Sequence, residues 1–332
     1  MTHKNTNVKH LFIINPRSFS YKWAQENMIA GIHRFFKIAE NNNYDIHVSR
    51  FPRDAAGFIP LYAKNLPENT TLRVYAVGGD GILFDCLNGV MRLENAELAA
   101  VPYGHTNSFI RGFGKNSKSL FRNIPRLCNA PTICLDVIRC EDNYALNYCS
   151  LGIEADAVLR AGRIREQLEK GSFFYRKWVS RGIYSFFYFV GGFISCLKRK
   201  LLHRQYEVYI DSENTTGSYW GVSFFNSPFY GGNMSPVKHA KPDDGILDIM
   251  FIHGSGLLSY FLYPFYMTGR YKMFPKIFSL KQGKKIYVRS NEPLIISMDD
   301  EIFYESELSV ELLPAAVKFV DVSRSGYIGE RK

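Results

Sequence analysis

Leu72-Arg73-Val74-Tyr75-Ala76-Val77-Gly78-Gly79-Asp80-Gly81, running straight into Ile82-Leu83-Phe84, is the stretch whose reading decides the fold. The apolar run Leu72–Val77 bounded by glycines reads as a buried strand, and Ile82–Met91 reads as a helix. Glycines between the two remove side chains, so backbone N–H groups can approach an anion closely. The start of the helix adds partial positive charge at the same point. Asp80 can there orient a magnesium-bound water or accept a proton from a hydroxyl. Taken alone, the same residues also suit a tight strand–helix turn capped by an aspartate.

Working outward, the first third of the chain repeats the pattern. Leu11–Asn15 and Leu98–Pro102 are further short apolar strands, Tyr44–Ser49 alternates, and residues 21–40 and Ala55–Ala63 have helical apolar spacing. Strands alternating with helices predict a mainly parallel sheet with helices on both faces. In such sheets ligands bind beyond the carboxyl ends of the strands. Asn15-Pro16-Arg17-Ser18 follows one strand end, and Pro102-Tyr103-Gly104-His105-Thr106-Asn107 follows another. Each is an ordinary loop by itself; with Gly78–Gly81, three polar or glycine-rich loops at three strand ends point to a nucleotide site.

Beyond about residue 130 the pattern changes. Thr132–Arg139, Tyr144–Cys149, Gln205–Ile210, Tyr219–Phe225, Ile246–His253, Lys285–Arg289 and Leu294–Met298 are short strand candidates, separated by turn residues such as Glu213-Asn214 and Asp299-Asp300. They predict an antiparallel β domain, interrupted by a helical insertion over 156–202. The expected division is a nucleotide-binding α/β domain over 1–130 and an antiparallel β domain over 131–314.

Composition bounds the function. The 332 residues are 46% apolar, which excludes a disordered chain. The net charge of +10 suits an anionic ligand or surface, and it is unevenly placed. Arg163–Arg204 carries ten basic residues against Glu166 and Glu169, and Arg270–Lys285 carries six with no acid. The uncharged Gly182–Leu197 between basic flanks is too short to span a bilayer, so it reads as a buried helix or as an interfacial element whose flanking cations meet lipid phosphates. The basic residues flank apolar stretches rather than forming a polar stripe, which argues against nucleic acid. There is no G-x-S-x-G, no metal spacing among the eight His and no CxxC among the six Cys. His10, His33, His47 and His203 read as ordinary surface or core residues. The polar N-terminus has no signal-like apolar core, and the expected location is cytoplasmic, with peripheral contact to the inner membrane face.

The ordered motifs resemble the diacylglycerol kinase catalytic-domain family, which includes bacterial lipid kinases and sphingosine kinases. They are Asn15–Ser18, Gly78–Gly81 with Asn88-Gly89, Pro102–Asn107, Ser150–Asp156, Tyr230-Gly231-Gly232, Asp244–Asp248 and Asp299-Asp300-Glu301. The resemblance implies an NAD kinase/diacylglycerol kinase-like α/β domain and a C-terminal antiparallel β-sandwich, with the segment 315–332 returning to the first domain. It implies ATP and Mg2+ as cofactors and transfer of the γ-phosphoryl group to a hydroxyl of diacylglycerol or a related lipid. Carried over by position, Asn15, Ser18, Ser49 and Gly78, Gly79, Asp80, Gly81 and Ile82 contact the nucleotide, joined by Arg17, Gly104, His105 and Asn107 from the adjoining loops. Glu301 becomes the proton acceptor, with Asp80 as the other catalytic carboxylate. Asp244, with the carbonyls of Lys241 and Ile246, becomes the metal site. The implied partners are a lipid and an anionic membrane surface, with a homodimer left open.

Several positions depart from the family pattern. Ile82 and His105 stand where it has Thr, Phe19 and Asp300 where it has Gly, Thr106 where it has Gly, and Ser108 where it has Asp. Each lost neutral hydrogen bond costs about 0.5–1.5 kcal/mol. His105 can replace a hydroxyl as a donor to phosphate, and Arg17 can take up the charge. Two other readings therefore stand beside the kinase: a catalytically impaired lipid-binding or regulatory protein on the same fold, and an NAD kinase-like activity, which shares the GGDG stretch. The aromatic segments Phe173–Phe193 and Tyr260–Tyr271 suit a greasy substrate better than a dinucleotide.

Overall fold

Parallel pairing organises the N-terminal part of the chain in the computed structural model, which describes residues 7–18, 22–104, 106–169, 190–194, 204–231, 234–253 and 257–327. Two compact units emerge: Met1–Leu135 with Ala315–Ile328, and Asp136–Pro314.

In the first unit, β1 (Asn7–Ile14), β2 (Tyr44–Val48), β3 (Thr70–Gly78) and β4 (Ala96–Pro102) form a parallel sheet in the order β4-β3-β1-β2. Lys318–Phe319 of the returning segment adds to β4, also in parallel. Leu11–Ile14 is fully buried and Val74–Val77 nearly so, as continuous apolar strands covered on both faces must be. Phe12 and Tyr75 stack across β1 and β3 with ring centroids 4.2 Å apart. The helices α1 (Lys22–Ile38), α2 (Asp54–Ala63) and α3 (Asp80–Val90) connect these strands, and α4 (Ser108–Arg111), α5 (Ser117–Phe121) and α6 (Ile124–Cys128) follow β4. Phe109 and Phe113 pack on Phe319 and Tyr327 and so hold the returning segment in this unit.

The second unit is an antiparallel β-sandwich. It contains β5 (Thr132–Cys140, entering from the first unit), β6 (Asn143–Ala145), β7 (Tyr148–Gly152), β8 (Arg204–Ile210), β9 (Glu213–Asn214), β10 (Gly217–Tyr219), β11 (Gly221–Phe225), β12 (Leu247–Ile252), β13 (Phe278–Gly283), β14 (Lys285–Met298) and β15 (Glu301–Val320, returning to the first unit from Ala315). The main order is β13-β12-β11-β7-β14-β15, with β8 also on β14 and β9 and β10 on β8. The helix α7 (Ile153–Glu169) packs on it with the helix Leu257–Met267, around a core that includes Trp220, Phe225, Tyr230, Tyr263 and Tyr266.

Three local expectations are corrected. Tyr144–Cys149 is not one strand: the Leu146 and Asn147 N–H groups leave the ladder and donate to the Asp299 carboxylate, so β6 and β7 are separate. Glu213-Asn214 is a strand rather than a turn, because Ile210 pairs with Glu213 and leaves Asp211-Ser212 as the loop, with Asp211 at φ 52°. Lys285–Arg289 and Leu294–Met298 are one strand whose register shifts between Arg289 and Leu294. The helical insertion expected over 156–202 begins earlier, at Ile153. Its middle, like most of Gly182–Leu197, lies outside the described residues, as do Phe19, His105, His203 and Gly232.

Candidate active site

Register alone places the loops of the first unit together. Ile14 pairs with Val77 and Val48, and Gly78 with Pro102, so Asn15, Ser49, Gly79 and Tyr103 all leave the sheet at the same edge. Backbone bonds fasten them there. The Asn15 N–H donates to the Val77 carbonyl at 3.0 Å, and the Ser49 N–H to the Ile14 carbonyl at 2.9 Å. The Tyr103 and Gly104 N–H groups both donate to the Gly78 carbonyl at 2.8 Å.

The two glycine loops touch backbone to backbone. A Cβ on Gly104 would lie 2.2 Å from the Gly79 Cα and 2.5 Å from its nitrogen, and one on Gly79 would lie 2.9 Å from the Thr106 carbonyl oxygen. No side chain fits at either position. Behind them Ile82 is buried and the Ser18 hydroxyl lies beside Gly78. The Asn15 Oδ1 accepts the Arg17 N–H at 3.0 Å and shapes the turn in which Arg17 is exposed. Asn107 is buried, and its Nδ2 donates to the Gly104 carbonyl at 2.7 Å. Ser49 turns its hydroxyl to the Phe51 carbonyl at 3.2 Å.

Asp80 is buried at the first turn of α3, and both of its carboxylate oxygens lie 2.9 Å from the Ser108 nitrogen. Burial pushes its carboxyl above the ordinary range, against the pull of donors from Ser108, Thr106 and Phe109. The Asp80 N–H in turn donates to the Thr106 carbonyl at 3.2 Å, so one residue locks the second glycine loop at both faces of its turn. Gly89 of the Asn88-Gly89 pair serves packing: a Cβ there would press on Ile59 and the Ala55 carbonyl of α2.

Sequence reading missed the Arg53–Asp85 contact. Arg53 adopts φ 68°, donates its N–H to the Asp85 carboxylate at 3.0 Å, and lays its guanidinium 4.6 Å over the Phe84 ring. This holds the Ser49–Arg53 loop to α3. The available signal was an acid inside the otherwise apolar helix Ile82–Met91.

In the second unit Asp299 and Asp300 form the two-residue turn between β14 and β15, at φ 46° and 72°. Positive φ at both residues is the type I′ requirement of a tight hairpin. Asp299 is buried and accepts the N–H groups of Leu146, Asn147 and Tyr148 at 2.8, 3.0 and 3.0 Å. Asp300 accepts the Tyr148 hydroxyl at 2.8 Å. Glu301, half-buried, opens β15 opposite Met298. The turn is therefore anchored rather than loose, and its geometry fixes where the Glu301 backbone begins.

Asp244 and Lys241 are exposed and Ile246 is half-buried; the Ile246 N–H donates to Asp244 Oδ1 at 3.2 Å. Partial desolvation of its carboxyl, and then the charges of Asp248, Asp136 and Asp243, raise Asp244 above its usual range, while the Ile246 N–H opposes them. Such a field favours a cation, and the donor set, one carboxylate with backbone carbonyls, suits a hard ion that keeps its waters. Among the described residues, no three His, Cys, Asp or Glu side chains are grouped closely enough to hold a metal by themselves. Asp136, absent from the sequence expectation, accepts the Gly245 N–H at 2.7 Å and holds this turn; an acid in the apolar run Thr132–Cys140 was its signal.

A further centre joins two of the sequence motifs, Ser150–Asp156 and Tyr230-Gly231-Gly232, for which the sequence offered no role. Glu154 of α7 is fully buried; its carboxylate accepts the Tyr230 and Tyr263 hydroxyls at 2.8 Å each and a close hydrogen bond from Ser223. Burial raises its carboxyl above the ordinary range, against these tyrosine donors and Tyr266.

Comparison with known proteins agrees with this arrangement. The diacylglycerol kinase catalytic domain family matches residues 9–140, and the YegS C-terminal NAD kinase beta sandwich-like domain matches residues 189–321. A protein of Staphylococcus aureus (strain Newman) named "Putative lipid kinase" is 23% identical over 267 residues, covering 79% of this chain and 81% of its own. Two structures from Bacillus anthracis str. Sterne share the fold. One, a "putative diacylglycerol kinase", has a TM-score of 0.66 at 19% identity over 94% of this chain and 96% of its own. The other, described as a diacylglycerol kinase, has a TM-score of 0.63 at 17% identity over the same shares. With the glycine loops inside the first matched span and β8 to β15 inside the second, the chain carries a diacylglycerol kinase catalytic domain over residues 9–140 and the YegS-type sandwich domain over residues 189–321.

Proposed function

We propose that this protein is an ATP-dependent lipid kinase that transfers the γ-phosphoryl group to a hydroxyl of diacylglycerol or a related lipid. The observation that carries this reading is the bare backbone cradle at Gly79 and Gly104, where a Cβ on either residue would collide with the opposite loop. A surface lined by backbone rather than side chains at a helix start is what phosphate groups bind.

In this reading Asn15, Arg17, Ser18 and Ser49 flank the nucleotide, and Gly78 to Ile82, Gly104, His105 and Asn107 form the cradle. Asp244, with the Lys241 and Ile246 carbonyls, would hold Mg2+, which would supply charge neutralisation for the phosphates. Asp80 acts as a positioning residue, since both its oxygens already face the Ser108 N–H. Proton acceptance from the lipid hydroxyl then falls to Glu301, whose backbone is set by the Asp299-Asp300 turn. The substrate implies work at a membrane face in the cytoplasm. No helix among the described residues is long and apolar enough to cross a membrane.

The experiment is phosphorylation of mixed neutral lipids by purified protein with labelled ATP. A labelled lipid is expected, with Glu301→Gln lowering kcat by about a hundredfold or more. No product under any divalent metal overturns the reading. Ile82 favours a second one, a non-catalytic lipid-binding protein: its buried side chain offers no hydroxyl to phosphate. Direct titration with ATP separates the two, since only the kinase requires tight nucleotide binding.

A further inference from the structure

We propose that Phe261, Pro264, Arg270, Lys272, Met273 and Lys276 form the face by which this protein docks on an anionic lipid bilayer. The inference rests on the reading of the chain as acting on a lipid, and deepens it by naming the surface.

The helix Leu257–Met267 buries Tyr263 and Tyr266 in the core of the second unit. Its other side carries Phe261, 64% exposed, with Pro264 one turn on and also exposed. The chain then makes a short 3-10 turn, Tyr271–Met273, in which Tyr271 is buried and Met273 is 62% exposed. The half-buried Phe265 and Phe274 meet at 5.3 Å, edge to face, and tie the helix to that turn. Two large apolar side chains, Phe261 and Met273, are thus each more than half exposed on adjoining segments.

Along the sequence the charge around them has one sign, and the acid whose charge reaches Tyr271, Asp248, is buried. From Ile249 to Asn291 the sequence contains no Asp or Glu. Lys281 and Lys285, further along, are neutralised by Glu213 and Glu311. Arg270, Lys272 and Lys276 are exposed and make no ion pair among the described residues. Apolar tips ringed by cations fit the boundary of an anionic bilayer, where rings and thioethers enter the acyl region and ammonium groups stay with lipid phosphates. A nucleic acid would satisfy the cations but leave Met273 without an apolar phase.

The test is sedimentation of the full-length protein, without ATP, with vesicles of phosphatidylcholine and phosphatidylglycerol in equal parts and with vesicles of phosphatidylcholine alone. Wild type is expected to pellet with the anionic vesicles and to be released by salt. Lys272→Glu with Lys276→Glu is expected to lower the partition constant about tenfold or more, and Phe261→Ser with Met273→Ser about tenfold. Lys115→Glu with Lys118→Glu, an equal charge change on exposed residues of the first unit, is expected to leave binding unchanged. Both patch variants pelleting like wild type would overturn the proposal. So would an equal loss in the control pair, or RNA binding with the same dependence on Lys272 and Lys276. Phosphorylation of detergent-dispersed lipid is scored separately. A protein that phosphorylates but does not pellet sinks only the docking face, and one that pellets but does not phosphorylate sinks only the kinase.

Discussion

The two turns at the centre of the candidate chemistry are built in opposite ways. Gly78–Gly81 owes its shape to side chains that are missing: Gly79 and Gly104 meet backbone to backbone, and nothing larger fits. Asp299-Asp300 owes its shape to a side chain that is present, a buried carboxylate holding three N–H groups of the β6–β7 connection. The first kind of turn packs backbone on backbone, with the Asp80 and Gly104 N–H groups bonded across the two loops; the second is held by one buried carboxylate. A glycine-built turn is broken by adding atoms, and a carboxylate-built turn by removing them.

The largest expected effect is therefore a deletion in the second unit. Asp299→Ala strands three buried N–H donors, each costing about 1–3 kcal/mol when unsatisfied, and is expected to lower unfolding free energy by about 4 kcal/mol. Denaturant unfolding measures it, and a loss below about 1 kcal/mol would show that water or a neighbouring group replaces the carboxylate. Asp299→Asn keeps an acceptor and tolerates positive φ, so it should recover part of the loss.

Next comes an addition in the first unit. Gly104→Ala drives a methyl group into the Gly79 backbone, and overpacking of this kind costs about 3 kcal/mol where nothing can give. The same change should abolish nucleotide binding, read by titration with ATP. Full binding by a Gly104→Ala protein would mean that the two loops separate in solution.

These two turns also show how far the sequence could be read. The strand–glycine–helix order placed β3, the glycine turn and α3 correctly, because apolar runs and glycines act locally on the backbone. The partners of buried polar groups were not legible. Asp80 reads as a carboxylate for a magnesium-bound water or a hydroxyl proton, or as the cap of a tight turn, and nothing local announces that both its oxygens face Ser108, 28 positions away. Glu154 gathers Ser223, Tyr230 and Tyr263 from 69 to 109 positions along the chain, and no local pattern announces such a meeting. Asp299 reads as a turn residue, and its three N–H partners around positions 146–148 are equally absent from any local pattern. Periodicity reports which face of an element is buried; it carries no information about which distant donor completes a carboxylate.

His10 gives a pH test of intermediate size. It lies buried in β1 with Nδ1 2.7 Å from the Tyr75 hydroxyl. Burial, then the nearby charges of Arg73 and Lys9, lower its pKa from 6.5 to about 4. The folded protein keeps this imidazole neutral, while the unfolded chain takes up a proton below about pH 6.5. The unfolded state therefore binds more protons between these limits, and stability falls as pH falls. From pH 6.5 to pH 5 the contribution is about 2 kcal/mol, at 1.36 kcal/mol per unit. Comparing the pH dependence of unfolding in wild type and His10→Gln isolates it; identical slopes would place a proton on His10 in the folded state.

The smallest effect has the opposite sign and sharpens the meaning of the Gly104 result. Gly57 lies exposed inside α2, with no atom within 4 Å of where its Cβ would stand. Gly57→Ala therefore adds no contact in the folded state, removes backbone freedom from the unfolded chain, and should raise stability by about 0.5–1 kcal/mol. A gain at Gly57 beside a loss at Gly104 would locate the intolerance in the loop–loop contact rather than in glycine removal as such. If both substitutions destabilise equally, the close approach of Gly104 to Gly79 is not what makes the cradle fragile.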